Sequence, residues 1–434
     1  MKINKAYKFR LYPDEEQAKE LKQIAGNNRF VWNEFVAFNN AHKELNGNYI
    51  YRYDLQSYLL HLKEENDFLK KSFSQSLQYQ AKFLDQTLHR AYEPDVVKQR
   101  NKAIAKAMAE PDEEKRKRKL AKAYNHGFPN FHKKRDYNDT IGYPQFFEVK
   151  KSRIKLPKIG WIKYTRHRNI EGKIKNLTVS QNGNQWYVSI CSDVEIEEQE
   201  IKTDNVIGID LGLKNFAAFN GHPHIKNQKL YRKKEKKIKR LQRSLSRRQY
   251  DSETKKSSNR RTRQQLKVHK VHQKIRNQRQ DFLHKLTHNM IANYDGFILE
   301  DLAVRNMMKN HCLAKSIQDA SWSEFARILE YKSKWNFKYF EKIDRFAPSS
   351  QICSKCGHRQ AMPLEKRTFN CEACGFAVDR DDNASVNIYN LSKLAATKNL
   401  AAIKNTVGPT EIYGQGETAV ADSENCQKEL SLAA

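Results

Sequence analysis

The sequence predicts an α/β protein of several domains: a β-barrel interrupted by an α-helical insertion, then a second half built on buried strands with a metal-stapled segment. Three observations predict it. The apolar period runs from two, to three-and-four, and back to two over the first 195 residues; apolar strands ending in carboxylates mark the second half; two CxxC pairs lie close together near its end. At 434 residues the chain is long enough for two or three separate cores.

The first strand is "KAYKFRLYP", where Tyr7, Phe9 and Leu11 alternate with Lys8 and Arg10 until Pro13 stops the run. From Asp14 to about Tyr124 apolar residues recur at three and four places, as in "LKQIAGNNRFVWNEFVAFNNA", which predicts helices. Between Phe128 and Asp193 the pattern returns to alternation, with Asn182-Gly183 marking a hairpin in "NLTVSQNGNQWYVSI". Residues 1–12 and 125–200 therefore read as one barrel and 13–124 as its helical insertion. A charged linker, "DVEIEEQEIKTDN", closes this half, and the apolar strand "VIGID" opens the next. From residue 397 to 434 large apolar residues and periodicity both fade, which predicts a disordered tail.

Charge narrows the function. Lysine and arginine number 80 against 50 aspartates and glutamates, a net +30 that suits a long polyanion better than a small acidic substrate. Residues 226–285 alone hold 23 basic and 4 acidic side chains on helix-compatible sequence. So dense a run repels itself unless a counter-charge is near, and it reads as a surface for RNA or an RNA–DNA duplex. No stretch of 18 apolar residues occurs and "MKINKAYKFRLYP" has no apolar signal core, so the expected setting is cytoplasmic, with no membrane partner.

Of seven cysteines, Cys191, Cys312 and Cys426 stand apart, whereas Cys353, Cys356, Cys371 and Cys374 form two CxxC pairs separated by fourteen residues. In a reducing compartment that spacing reads as Zn²⁺ held by four thiolates, and Gly357 and Gly375 suit the two turns. Four protein ligands leave no open position, so this zinc is expected to be structural.

The carboxylates point to different chemistry. "VIGID" ends in Asp210 before Gly212; "YDGFILED" ends in Glu300 and Asp301; "VDRDDNAS" supplies Asp379, Asp381 and Asp382 just ahead of a helix. Each alone is a common turn or cap residue. Together, carboxylates from three elements are the set that holds two Mg²⁺ or Mn²⁺ ions for in-line phosphodiester hydrolysis, with no side-chain nucleophile.

The segments "VIGIDLGLKNFA", "FILEDLAVRNM", "SIQDASWSEF", "FAPSSQICSKCG" and "CEACGFAVDRDDNASVNI" closely resemble TnpB, the RNA-guided nuclease family of bacterial and archaeal insertion sequences, related to miniature type V CRISPR effectors. In the first half "KAYKFRLYP", "NNRFVWNEF", "GFPNFHKKR" and "LPKIGWIKY" extend the resemblance over about residues 1–395. One departure is Ser385, where many members carry alanine after "DNA".

The resemblance implies an RNase H-like RuvC nuclease domain over 205–350 and 377–396, with a zinc ribbon inserted at 351–376. Its triad falls on Asp210, Glu300 and Asp381, the last because the family's third acid is the second Asp of "DRDxNA". It implies a wedge domain from the barrel, a recognition domain from the helices, a transposon-derived guide RNA, and double- and single-stranded target DNA. A monomer carrying one RNA in the prokaryotic cytosol, associated with the nucleoid, is the expected form. In such proteins side chains read a short motif flanking the target. By placement, Tyr53, Ser57, Gln78, Tyr79, Lys82, Tyr143 and Gln145 are the candidate readers.

Other readings stay open beside this one. A regulator that binds DNA through RNA without cutting would share all but the triad, and a miniature CRISPR effector would differ in its RNA. An actin-type ATPase fits less well, because no glycine-rich phosphate loop follows "VIGIDLG".

Overall fold

In a computed structural model of the chain, the described residues are 1–133, 140–219, 222–248, 258–363 and 365–398. They divide into two compact units, Met1–Glu200 with Leu230–Phe282, and Ile201–Lys229 with Leu283 onward. The expected tail lies outside the described residues except for Thr397 and Lys398. Those two close a helical turn over 393–398, where the Thr397 hydroxyl donates to the Lys393 carbonyl at 2.9 Å.

The first unit holds seven strands: β1 Lys2–Tyr12, β2 Thr140–Tyr143, β3 Glu148–Val149, β4 Arg153–Leu156, β5 Gly160–Thr165, β6 Lys173–Asn182 and β7 Gln185–Glu195. They form one antiparallel sheet in the order β2-β6-β7-β1-β5-β4-β3. Among the described residues the outer strands β2 and β3 do not pair, so the hydrogen bonding does not close the expected barrel. Alternation sets the faces: Tyr7, Phe9 and Leu11 of β1 are buried with Ile162, Val188 and Ile190. Gly183 takes the first position of the two-residue β6–β7 turn with φ 66°, a conformation glycine adopts without strain.

Between β1 and β2 lie α1 Glu15–Asn46, α2 Arg52–Glu65, a 3₁₀ turn Asp67–Lys71, α3 Ser74–Ala91, α4 Pro94–Met108 and α5 Glu113–Tyr124. Asp14 caps α1 reciprocally with Gln17, and Gly47 ends it in the left-handed conformation. Apolar residues three and four apart, such as Val31, Phe35, Leu55, Leu59 and Leu84, give these helices their shared core. Two basic helices complete the unit: α6 Leu230–Ser246 and most of α7 Asn259–Asn293. The sequence reading kept 205–350 together, whereas residues 230–282 pack with the first unit. Gln273 of α7 donates to Tyr187 at 3.3 Å and to the Asn182 carbonyl at 3.4 Å.

The second unit is organised by β8 Val206–Asp210, β9 Asn215–Phe219, β10 Ile225–Lys226, β11 Gly296–Glu300 and β12 Tyr339–Ile343, in the order β10-β9-β8-β11-β12. The first three run antiparallel in sequence; β11 is parallel to both β8 and β12. Helices α8 Val304–Met307, α9 Ala314–Ala320 and α10 Trp322–Trp335 connect β11 to β12. A small hairpin, β13 Thr368–Asn370 with β14 Ala377–Asp379, then leads into α11 Arg380–Asn390. Among the described residues no helix is long and apolar enough to cross a membrane.

Candidate active site and cysteine knuckle

β8 and β11 are apolar over most of their length because sheet neighbours and helices cover them, and each ends in an acid. Parallel pairing of Ile209 with Leu299 brings Asp210 and Glu300 out at the same edge of the sheet. Burial, then the Glu300 charge, then the Asp381 charge push the Asp210 carboxyl up to about 7, against the opposing pull of Arg380 and the Leu211 amide. Burial also raises Glu300, opposed by the hydroxyl of Ser349, which donates to its carboxylate.

Asp381 comes from the first turn of α11. That helix approaches β8 so closely that a Cβ added at Gly208 would stand 2.1 Å from the Ser385 carbonyl oxygen and 2.8 Å from the Tyr389 nitrogen. Asp379 caps α11, its carboxylate accepting the Asp381 N–H at 2.8 Å. Asp382 faces His224, whose Nε2 lies 2.7 Å from Asp382 Oδ1 while the Asn215 amide nitrogen donates to Nδ1 at 2.9 Å. Burial alone would lower His224; the hydrogen bond and charge of Asp382 outweigh it and raise it.

The three predicted acids therefore meet at one edge, close enough for two charges to act on the third. They do not collapse into a shared ligand shell. Among the described residues the carboxylate group whose ligand atoms all lie within 4.8 Å is Asp379 and Asp382 with His224, and Asp381 Oδ1 turns to Arg380 at 3.4 Å and Arg367 at 3.9 Å. Asp301, the alternative to Glu300, pairs with Arg345 instead.

The four cysteines form the other cluster, with every Sγ within 4.8 Å of the rest. Cys353 and Cys374 stand 3.8 Å apart and Cys356 and Cys371 3.5 Å apart. Ligands ~2.3 Å from a tetrahedral ion lie about 3.8 Å from one another, so the donor set fits zinc. Gly357 and Gly375 sit at φ 76° and 66°, and their N–H groups donate to the Cys353 and Cys371 carbonyls at 2.9 and 3.0 Å. The glycines after each CxxC are required by these left-handed turns.

Two buried asparagines of α11 tie this knuckle to the acid edge. Asn387 donates to the Ser349 carbonyl at 2.7 Å and the Ile352 carbonyl at 2.6 Å. Asn383 donates to the Ile352 carbonyl at 2.7 Å and accepts the Ser354 N–H at 2.9 Å. Ser349 thus joins α11 through its carbonyl and Glu300 through its hydroxyl.

Comparison with known proteins supplies the family. Residues 189–311 match the family model described as "Probable transposase", 322–388 a "Cas12f1-like, TNB domain", and 1–47 a "Helix-turn-helix domain". The "Putative RNA-guided DNA endonuclease InsQ" of Escherichia coli (strain K12) is 33% identical over 408 residues, covering 89% of this chain and 92% of that relative. The chain belongs to the TnpB family. A Streptomyces pristinaespiralis protein described as a "Putative RNA-guided DNA endonuclease" is 29% identical, with 89% of each covered. The "TnpB-like protein MJ1635" of Methanocaldococcus jannaschii is 24% identical over 56% of this chain and 54% of its own length. In this TnpB-family chain residues 1–47 hold β1 and the single uninterrupted helix α1 rather than two helices.

Six of the seven residues expected to read a flanking motif reach the surface wholly or in part. Tyr53 is 79% exposed on α2, one turn from the exposed Ser57; Gln78, Tyr79 and Lys82 share α3, with the Lys82 ammonium 5.4 Å from the Tyr79 ring; Gln145 is exposed after β2. Tyr143 is the correction: it is fully buried at 0% exposure, packed by Phe73, and belongs to the sheet core rather than to a reading surface. β2 alternation turns it inward.

Sequence reasoning missed Gly208, Ser349, Asn383, Asn387 and the Asn215–His224–Asp382 chain. A glycine inside an apolar strand is itself a sign of close backbone approach, so Gly208 was findable. Asn383 and Asn387, spaced i to i+4 beside buried Ala384 and Ile388, also carried a signal as polar residues on a core-facing stripe.

Proposed function

We propose that the protein is an RNA-guided DNA endonuclease that cuts phosphodiesters at the Asp210–Glu300–Asp381 edge with the help of divalent cations, Mg²⁺ or Mn²⁺. The observation that carries this reading is the convergence of acids from β8, β11 and α11 at one sheet edge, in a chain that belongs to the TnpB family. An antiparallel meander followed by two parallel strands is also the strand order expected of an RNase H-like nuclease domain. The oxygen donors suit hard cations and the four thiolates suit zinc, which supports two separate metal roles.

Cations bound there would supply Lewis-acid stabilisation of the charge that builds on the phosphate during in-line displacement. Asp210 and Glu300 would hold them at the strand ends, with the Ser349 hydroxyl orienting Glu300. Asp381 would complete the set, releasing Arg380 and Arg367 toward the phosphate. The knuckle over 351–376 would keep one structural zinc and fix the chain leading to α11. The sheet of 1–12 and 125–200 would act as wedge, the helices of 13–124 as recognition domain, and α6 and α7 as part of the guide RNA surface. The acting form would be a monomer with one RNA.

All three acids are present, which favours cutting over binding alone. The deciding experiment uses the purified RNA complex and a matched duplex. Asp210→Ala should abolish cleavage while guide RNA and DNA affinities stay within about twofold; retained cleavage, or loss of binding with it, would overturn the assignment.

A further inference from the structure

We infer that Phe346 is a stacking platform for a nucleobase of the DNA strand beside the cut site, a subsite that rests on the nuclease reading above. Phe346 is 87% exposed, the greatest exposure of any large apolar side chain among the described residues. A free aromatic ring on a mobile loop would mean little, but this loop is held on both sides of it. On one side Arg345 binds Asp301 through both its carboxylate and its carbonyl, the latter at 3.0 Å, and Asp301 is the residue directly after Glu300. On the other, Ser349 donates to Glu300 itself, and its carbonyl is held by Asn387 of α11.

The loop is also fixed from within. The Phe346 N–H donates to the Asp344 carboxylate at 2.8 Å, the Ala347 N–H to the Asp344 carbonyl at 3.2 Å, and Pro348 restricts the backbone that follows. Phe346 lies three positions before Ser349, and three residues reach at most ~10 Å when extended. A ring held in water at that distance from an acid edge is costly to solvate and gains nothing for the fold. It gains a partner when a strand lies across the edge, because every base presents a flat π-face that stacks without regard to sequence. Such a contact fits an enzyme that cuts whatever sequence its guide selects. It would set the register of the strand, presenting one phosphodiester to the carboxylates.

The test is an abasic scan of both target strands, one nucleotide at a time around the cut position, with single-turnover cleavage by the RNA complex. Stacking predicts one position at which removing the base slows the native protein about 10-fold, in line with the worth of one aromatic–base stack. Phe346→Ala should be about 10-fold slower on the intact strand and indifferent to that abasic position, and Phe346→Trp should restore both rate and sensitivity. An identical abasic profile in the native protein and Phe346→Ala would overturn the inference. A side chain this exposed should leave folding and guide RNA binding unchanged on truncation. If Asp210→Ala removes cleavage yet Phe346→Ala changes nothing, the platform fails and the nuclease reading stands. If Asp210→Ala still cuts, the nuclease reading itself fails.

Discussion

The two ends of β8 and β11 are built on opposite electrostatic rules. At their start, Asp295 accepts from Lys338 at 2.9 Å and from the Asn205 N–H at 3.3 Å, so opposite charges and an amide tie together the residues that precede β8, β11 and β12. At their finish, Asp210 and Glu300 emerge side by side with Asp381 near, and burial and like charge push Asp210 up to about 7. One end sets opposite charges together; the other sets like charges together. A sheet arranged only for stability would not gather acids at a buried edge, and that contrast separates scaffold from site more sharply than any single residue does.

The largest test removes the repulsion. Asp210→Asn should cut cleavage by more than about 100-fold, as expected for loss of a cation ligand, while thermal unfolding in metal-free buffer shows an unchanged or higher midpoint. A clear drop in midpoint would mean that Asp210 stabilises the fold and that the two ends do not differ in kind.

Cys371→Ser comes next, since the knuckle holds the finish of the strands in place. It should lower bound zinc by one equivalent per chain, measured by atomic absorption, and destabilise the second unit. Unchanged zinc would remove the knuckle from the account. Asn387→Ala is finer: it leaves the Ser349 and Ile352 carbonyls short of a buried donor, a cost of about 1–3 kcal/mol. Zinc content should hold while the cation concentration needed for half-maximal cleavage rises, because Ser349 no longer fixes Glu300. If both stay unchanged, α11 and the acid edge are not mechanically joined.

How much of this was legible depends on range. The alternation of Tyr7, Phe9 and Leu11, the CxxC spacing and the acid at the end of each apolar strand are written within a few residues, and each element appears where its period placed it. What the sequence withheld is contact at a distance. Nothing local in "PSSQ" says that Ser349 meets Glu300 across 49 positions, nor that His224 meets Asp382 across 158. Tyr143 shows the same limit from the other side. Its placement in the expected wedge made it a candidate reader, but its face was decided by register with Leu177 of β6. The basic helices were visible as charge, whereas their packing with the first unit came from Gln273 reaching the β6–β7 turn.

The smallest effect belongs to the paired end, where the sign of a pH dependence is fixed. The Lys338 hydrogen bond is the main cause that holds the Asp295 carboxyl below the usual carboxylate range, with burial opposing it and the Asn205 amide assisting. A carboxyl lowered in the folded state adds stability above its unfolded value of ~3.9, and that stability is lost as pH falls through the folded value. Asp295→Asn should therefore lower the unfolding midpoint near pH 7 by the equivalent of about 1 kcal/mol or less, and flatten the loss of stability below about pH 4. Lys338→Met should reproduce the loss at pH 7, and the double variant should cost no more than either single one if the pair acts as a unit. Full additivity would instead make Asp295 a partner of the Asn205 amide alone, and the start of the strands would be held by a backbone cap rather than by opposite charge.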